Sequence, residues 1–346
     1  MDTRAGDDLK ALERELDGLL AGHRNLQAEI GKVFRGHDEI VEQLLLCLYA
    51  GGHVLLEGVP GLGKTTLVRA LAAALELSFR RIQFTPDLMP GDILGLRLLE
   101  EDAAGKKHFT FQRGPVFANV VLADEINRAS PRTQAGLLEA MAEGRVTLFG
   151  ESAPLEDPFF LVATQNPIEM EGTYPLPEAQ LDRFLYKIVL GLPTLEETIA
   201  VLGATAHAPE RIENVVRAVL SRDAVRRLRV LTRQTPTSAD AIELAARVVL
   251  ATQPAGDAPD AIKRYVRHGA SPRGGQALLW TAKARALVRG RLHVAQEDLE
   301  AACAPALRHR LILGYEGEAA GISTDELARA ALEHALSRSK SRASWR

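Results

Sequence analysis

The octapeptide Gly58-Val59-Pro60-Gly61-Leu62-Gly63-Lys64-Thr65 fits the spacing G-x-x-x-x-G-K-[ST] and constrains this chain more than any other stretch. Such a loop is expected between a strand and a helix. Both neighbours are present: His53 to Glu57 reads as a buried strand, and residues 64–75 read as an Ala/Leu-rich helix. The glycines let successive backbone N–H groups turn toward one anion, the helix N-terminus adds its positive dipole, and Lys64 supplies a mobile full charge. Thr65 offers its hydroxyl to Mg²⁺, and Thr66 completes the set of nucleotide-binding residues at the start of the helix. With average glycine usage near ~7%, the pattern arises by chance in a chain this long on the order of once in a hundred. A nucleotide is therefore the first ligand to consider.

The 346 residues, 46% hydrophobic and 25% charged, are ordinary globular composition and long enough for two domains. A net charge of −3 gives no global electrostatic footprint for nucleic acid. Cys47 and Cys303 lie far apart, without metal or redox spacing, and read as reduced, packed thiols. The N-terminus lacks a signal pattern and no apolar run approaches the ~18 residues needed to cross a bilayer, so a cytoplasmic protein without a membrane span is expected.

Residues 7–31 carry Leu9, Leu12, Leu16, Leu19 and Leu20 at helical spacing, which predicts an N-terminal amphipathic helix within residues 1–32. Over 33–192 short apolar strands alternate with helices: strands at 53–57, 79–84, 119–123, 159–164 and 185–190, helices at 64–75 and 131–143. That alternation predicts an α/β domain built on a central, mostly parallel five-stranded sheet. Turn signals at Met89-Pro90-Gly91-Asp92 and 101–107 mark an inserted hairpin near 86–112. After Gly191-Leu192-Pro193 the strands are expected to stop, leaving a helical domain over 193–322 with helices at 195–203, 211–220, 237–251, 259–268, 273–289 and 295–312. A last helix near 324–336 and a basic, serine-rich tail to Arg346, expected to be disordered, complete the chain.

A phosphate loop binds nucleotide, but hydrolysis also needs a carboxylate on the metal side and a group that orients water. Val120-Val121-Leu122-Ala123-Asp124-Glu125 provides both at a strand end, where ligands of parallel sheets gather. Asp124 would hold Mg²⁺ through its water shell and Glu125 would polarise the attacking water. The strand Phe159 to Thr164 leads into Gln165-Asn166-Pro167, where the Asn166 amide can bond both the γ-phosphate and the water.

Taken in order, these motifs resemble the MoxR family of AAA+ ATPases, in the clade that also holds magnesium chelatase and minichromosome-maintenance motors. The resemblance spans about Val33 to Ala320. It is carried by Gly58 to Thr65, Phe111-Gln112-Arg113-Gly114-Pro115-Val116-Phe117, Leu122 to Arg128, Leu137 to Met141, Ala163 to Pro167 and Pro177 to Phe184. It implies a nucleotide-binding core followed by a helical lid. Asn166 matches the first sensor; Arg183 matches an arginine finger that points into the next subunit's ATP; Arg273, in Gly269 to Gly275, matches the second sensor. It further implies a homo-oligomer, as a hexameric ring, acting on a protein partner, often a von Willebrand factor A domain protein. The hairpin near 86–112 and the segment Val146 to Phe160 resemble the clade's two insertions, with Leu94, Leu96, Leu98 and Leu99 as exposed contacts or as a small core of the hairpin itself. Val33-Phe34-Arg35-Gly36-His37-Asp38 resembles the adenine-side pattern, but carries His37 where Gln is usual.

The leading expectation is thus a ring-forming, Mg²⁺-dependent ATPase that remodels or activates a protein. A nucleic-acid motor would favour basic, aromatic-bearing inserts, whereas Lys106, Lys107 and His108 are offset by Asp92, Glu100, Glu101 and Asp102. A small-molecule kinase leaves Glu125, Asn166 and Arg183 without a use, and an inert scaffold leaves the full hydrolytic set unexplained.

Overall fold

In the computed structural model, residues 2–101, 105–148, 150–167, 172–205 and 211–338 are described. The expected basic tail lies outside them from residue 339 onward. Five strands form one all-parallel sheet in the spatial order Phe79–Gln83, Val120–Asp124, Phe160–Gln165, Val54–Glu57, Tyr186–Val189. Side chains alternate between two buried layers, as a period of two requires. Val54, Leu56, Val120, Leu122, Phe160 and Val162 enter one apolar cluster, while Leu55, Val121, Ala123, Leu161 and Ala163 enter the other. Burial on both faces explains why these strands read as near-continuous apolar runs.

The first cluster extends without a break into the helices Asp38–Ala50, Lys64–Ala74 and those of the C-terminal half. The second lies under Pro131–Glu143 and the short helix Pro90–Leu94. The N-terminal helix, Asp2–Gly31, packs on the body through Leu19, Leu20, Leu26 and Ile30. Both cysteines are free and buried, and burial raises each thiol above its ordinary range, Cys303 to about 12.

Two antiparallel hairpins leave the sheet, Gly95–Glu101 with Lys107–Arg113 and Arg145–Leu148 with Glu151–Pro154. Gly95 has a φ of 110°, and a Cβ there would meet the Gln112 carbonyl oxygen at 2.3 Å, so only glycine lets the first hairpin close at its base. Leu96, Leu98 and Leu99 are exposed, but Leu94 is buried in the second cluster, because it ends the short helix instead of starting the hairpin.

The C-terminal half departs from the sequence reading in three places. The expected helix at 211–220 is only Ile212–Val215. Beyond it the Val219 and Leu220 amides donate to the Ala74 carbonyl, which terminates the phosphate-loop helix, instead of to carbonyls of their own turn. A helix that had no sequence expectation, Arg222–Gln234, follows; the Ser221 hydroxyl accepts the Ala224 N–H at its start, and Val225, Leu228 and Thr232 form its buried stripe. Strands do not stop at residue 193 either: Val266–His268 pairs antiparallel with Ile312–Leu313. These segments of three and two residues are too short to show alternation. The last helix, Thr324–Arg338, packs on Ala239–Ala251 and Gln296–Leu307.

Buried histidines make the fold acid-sensitive: burial lowers His53 to about 3 and His309 well below its ordinary range, and His23 belongs with them. The Tyr49 hydroxyl, kept protonated by burial, shares a hydrogen bond with His23 Nδ1 at 3.2 Å, and burial with Arg289 and Arg24 nearby lowers His23 to about 4. An unfolded His titrates near ~6.5. The stabilisation is therefore complete above that pH and is lost as pH falls from there toward about 4, up to about 3 kcal/mol. The urea midpoint should drop between pH 7.5 and 4.5, and His23→Asn should lessen that drop while His53 and His309 keep the rest of it. An unchanged pH profile in the variant would contradict the assignment.

Candidate functional site

Because all five strands are parallel, their carboxyl ends share one edge, and the phosphate loop, Asp124, Glu125 and Asn166 all lie on it. Gly61 and Gly63 adopt left-handed φ values of 87° and 77°, and Gly63 is the N-cap of Lys64–Ala74 without a side-chain cap bond. The first-turn N–H groups of that helix therefore face the loop, as anion binding requires. Lys64 Nζ donates to the carbonyl oxygens of Gly58 and Val59, which holds the ammonium over the loop. The Gly58 N–H donates to Gln165 O at 3.3 Å and ties the loop to the strand that carries Asn166. Thr65 and Thr66 occupy the first turn of the helix, partly buried.

Asp124 ends the fully buried strand Val120–Asp124. Its Oδ1 accepts the Thr164 hydroxyl at 2.6 Å; its Oδ2 accepts Arg81 Nε and Nη2 at 2.9 and 2.7 Å. Thr164 Oγ1 also accepts the Glu125 N–H at 2.9 Å. Glu125 sits at φ 57°, a strained conformation for a non-glycine residue, and begins the turn Ile126–Arg128. Its carboxylate accepts Gln83 Nε2 at 2.9 Å and lies 3.3 Å from Arg128 Nη1, while Arg81 Nη2 donates to Gln83 Oε1. One chain of bonds thus links Asp124 to Glu125 through Arg81 and Gln83. Asn166 is 6% exposed.

Residues 33–37 form a turn between the helices Asp2–Gly31 and Asp38–Ala50. They close a cleft of about 320 Å³ against Gly61, Leu62, Thr66, Val201 and Leu202. Phe34 stacks on His37 with centroids 5.3 Å apart, and a Cβ on Gly63 would lie 3.4 Å from the Phe34 ring. Apolar walls beside the phosphate loop suit a purine. His37 lines this cleft in place of the usual Gln.

The two arginines lie elsewhere. Arg183 precedes the strand Tyr186–Val189, and Leu185 N–H donates to His53 O at 2.8 Å, so its loop sits at the amino edge of the sheet. Arg183 Nη1 donates to Leu138 O at 2.9 Å. Arg273, at the start of Pro272–Val288, reaches the same place, with Nη1 3.8 Å from Asp182 Oδ2. Both line a cleft of about 240 Å³ with Gly51, His53, Trp280 and Arg310. A four-residue strand spans ~13 Å, so this cleft and the phosphate loop are at opposite edges of one sheet.

This geometry can be set beside known proteins. Residues 53–186 match the model of the ATPase family associated with various cellular activities, and residues 259–335 match the AAA lid domain. The chain is 41% identical over 313 residues to Chaperone MoxR1 of Mycobacterium tuberculosis, covering 89% of this chain and 81% of that one. It belongs to the MoxR family of AAA+ ATPases. Protein MoxR of Methylorubrum extorquens is 33% identical, covering 92% of this chain and 96% of its own. A crystal structure from Cytophaga hutchinsonii, of a protein described only as a candidate ATPase, superposes with a TM-score of 0.87 at 39% identity, covering 94% of this MoxR-family chain and 98% of that one. Among the described residues no helix is long and apolar enough to cross a membrane.

Sequence reasoning had no access to Arg81, Gln83 and Thr164, whose roles depend on which strands are neighbours, nor to Asp182 and Arg310. The motif Pro177 to Phe184 contains Asp182 but gives no sign of its partner.

Proposed function

We propose that this chain hydrolyses ATP at sites completed between neighbouring copies in a homo-oligomeric ring, with a hexamer as the expected form, and uses the cycle to remodel or activate a protein partner. The observation that carries the reading is the split of the expected catalytic set: Lys64, Thr65, Asp124, Glu125 and Asn166 at one edge of the sheet, Arg183 and Arg273 at the other. Half-sites on opposite edges meet through head-to-tail contacts, which close into a ring where the rotation between copies closes.

Within one half, residues 58–66 hold the triphosphate and the cleft beside Phe34 holds the base. Thr65, in the first turn of the helix that follows the loop, and Asp124, at the carboxyl end of its strand, offer hard oxygen donors of the kind that suits Mg²⁺. When bound, that ion neutralises charge on the β- and γ-phosphates. Glu125 orients water and accepts its proton, and Asn166 reads the γ-phosphate. In the other half, Arg183 and Arg273 bring positive charge to the phosphoryl oxygens of the adjoining copy.

A relative named as a chaperone supports a protein partner. So does the hairpin, which exposes the cross-strand pair Leu99 and Phe109 on one face and Leu96 on the other, apolar side chains suited to contact with protein. The resemblance points to a von Willebrand factor A domain protein as its class. Specific ATPase activity should rise with protein concentration and level off as sedimentation shows assembly. Full activity in a monomer that does not depend on concentration would refute the shared site.

A further inference from the structure

Asp182, immediately before Arg183, joins the sheet to the helical lid. Its Oδ1 accepts Arg310 Nε at 2.8 Å and its Oδ2 accepts the Ser271 hydroxyl at 2.9 Å, with Arg273 Nη1 3.8 Å away. Arg310 is 6% exposed and turns its remaining donors mostly to backbone: Nη2 on Asp182 O and Phe184 O at 2.9 and 2.7 Å, Nη1 on Leu185 O at 3.2 Å and on Ala306 O, with His309 Nε2 2.8 Å from Nη1. The carbonyls on both sides of Arg183 are thus gripped by one guanidinium from the lid, and the carboxylate beside it is shared among three lid side chains.

Burying a guanidinium is costly unless its planar fork finds acceptors, and an apolar side chain would hold two units together at least as well. What a saturated fork adds is orientation. Three guanidiniums, Arg183, Arg273 and Arg310, line the cleft with one carboxylate, Asp182, and leave it positive, as an incoming phosphate group requires.

We infer that Asp182 and Arg310 are positioning residues that clamp the 182–185 loop to the lid, so that Arg183 and Arg273 are presented to a neighbouring copy's nucleotide as one rigid unit. The inference rests on the reading that those two arginines act between copies. Asp182 and Arg310 then set turnover without touching the phosphate loop of their own chain.

The test uses Asp182→Asn and Arg310→Met in the full chain, read by binding of a fluorescent ATP analogue, by sedimentation and by steady-state turnover. Each variant should bind nucleotide at its own loop within about twofold of the parent and lose kcat on the order of 10–100-fold, as a displaced catalytic group does, with KM little changed. Mixed with Lys64→Ala, whose arginine cleft is intact, each should recover activity as far as the control pair, Arg183→Ala with Lys64→Ala. Should Arg310→Met not fold, Arg310→Lys keeps the charge without the fork and should show the same loss of kcat. The clamp is overturned by unchanged kcat, by nucleotide affinity falling in step with kcat, or by a failure to recover while the control pair recovers. If the control pair itself fails, the shared-site reading fails first and the clamp with it.

Discussion

Glu125→Gln should leave ATP binding intact and lower kcat on the order of 10²–10⁴-fold, the usual contribution of a positioned general base. The substitution keeps the side chain's shape and its ability to bond Gln83, so the strained turn at φ 57° and the Thr164 contact to its N–H are retained. What is lost is the capacity to take a proton from water. The variant should accumulate bound ATP, measurable as nucleotide retained on the protein after gel filtration, while phosphate release stops. Turnover within about twofold of the parent would remove Glu125 from the water-orienting role.

Arg183→Ala should have the second large effect, a loss of turnover on the order of 10³–10⁵-fold, as for arginine fingers on other phosphate-loop enzymes. The dissociation constant for ATP at the chain's own loop should not move, because that loop lies at the other edge of the sheet. In the proposed role the arginine neutralises charge that develops as the phosphoryl group transfers, so its removal should cost the transition state and spare ground-state binding. Weakening of ATP binding in proportion to the lost turnover would place Arg183 on its own nucleotide instead.

Much of the core was readable because the features that build it are local. Glycine spacing marks the loop, doubly buried strands announce themselves as apolar runs, and Asp124-Glu125 sits where one such run ends. The relations that tune the site are not local. Arg81 and Gln83 meet Asp124 and Glu125 only because Phe79–Gln83 lies beside Val120–Asp124, an order of strands that no short window encodes. Arg310 looks like any of the 42 Lys and Arg residues until the lid folds over the 182–185 loop. In the lid, the Arg222–Gln234 helix was hidden by its charge, and the helix expected at 211–220 was cut short by carbonyl Ala74, a competitor 145 residues distant from Val219. Leu94 reads as one of a run of leucines, yet the short helix before the hairpin turns it inward.

The claim on which the account depends is that one site is built from two copies. It is tested most directly by titrating Arg183→Ala against Lys64→Ala at constant total protein and measuring ATP turnover. On the proposed reading each variant alone should be inactive, while an interface that takes its loop from the first and its arginines from the second should be intact. With random mixing, roughly one interface in four is intact at equal proportions, so activity should rise from near zero at both ends to a maximum at the midpoint. A flat line at the level of the inactive parents, with mixed assembly confirmed, would contradict the account.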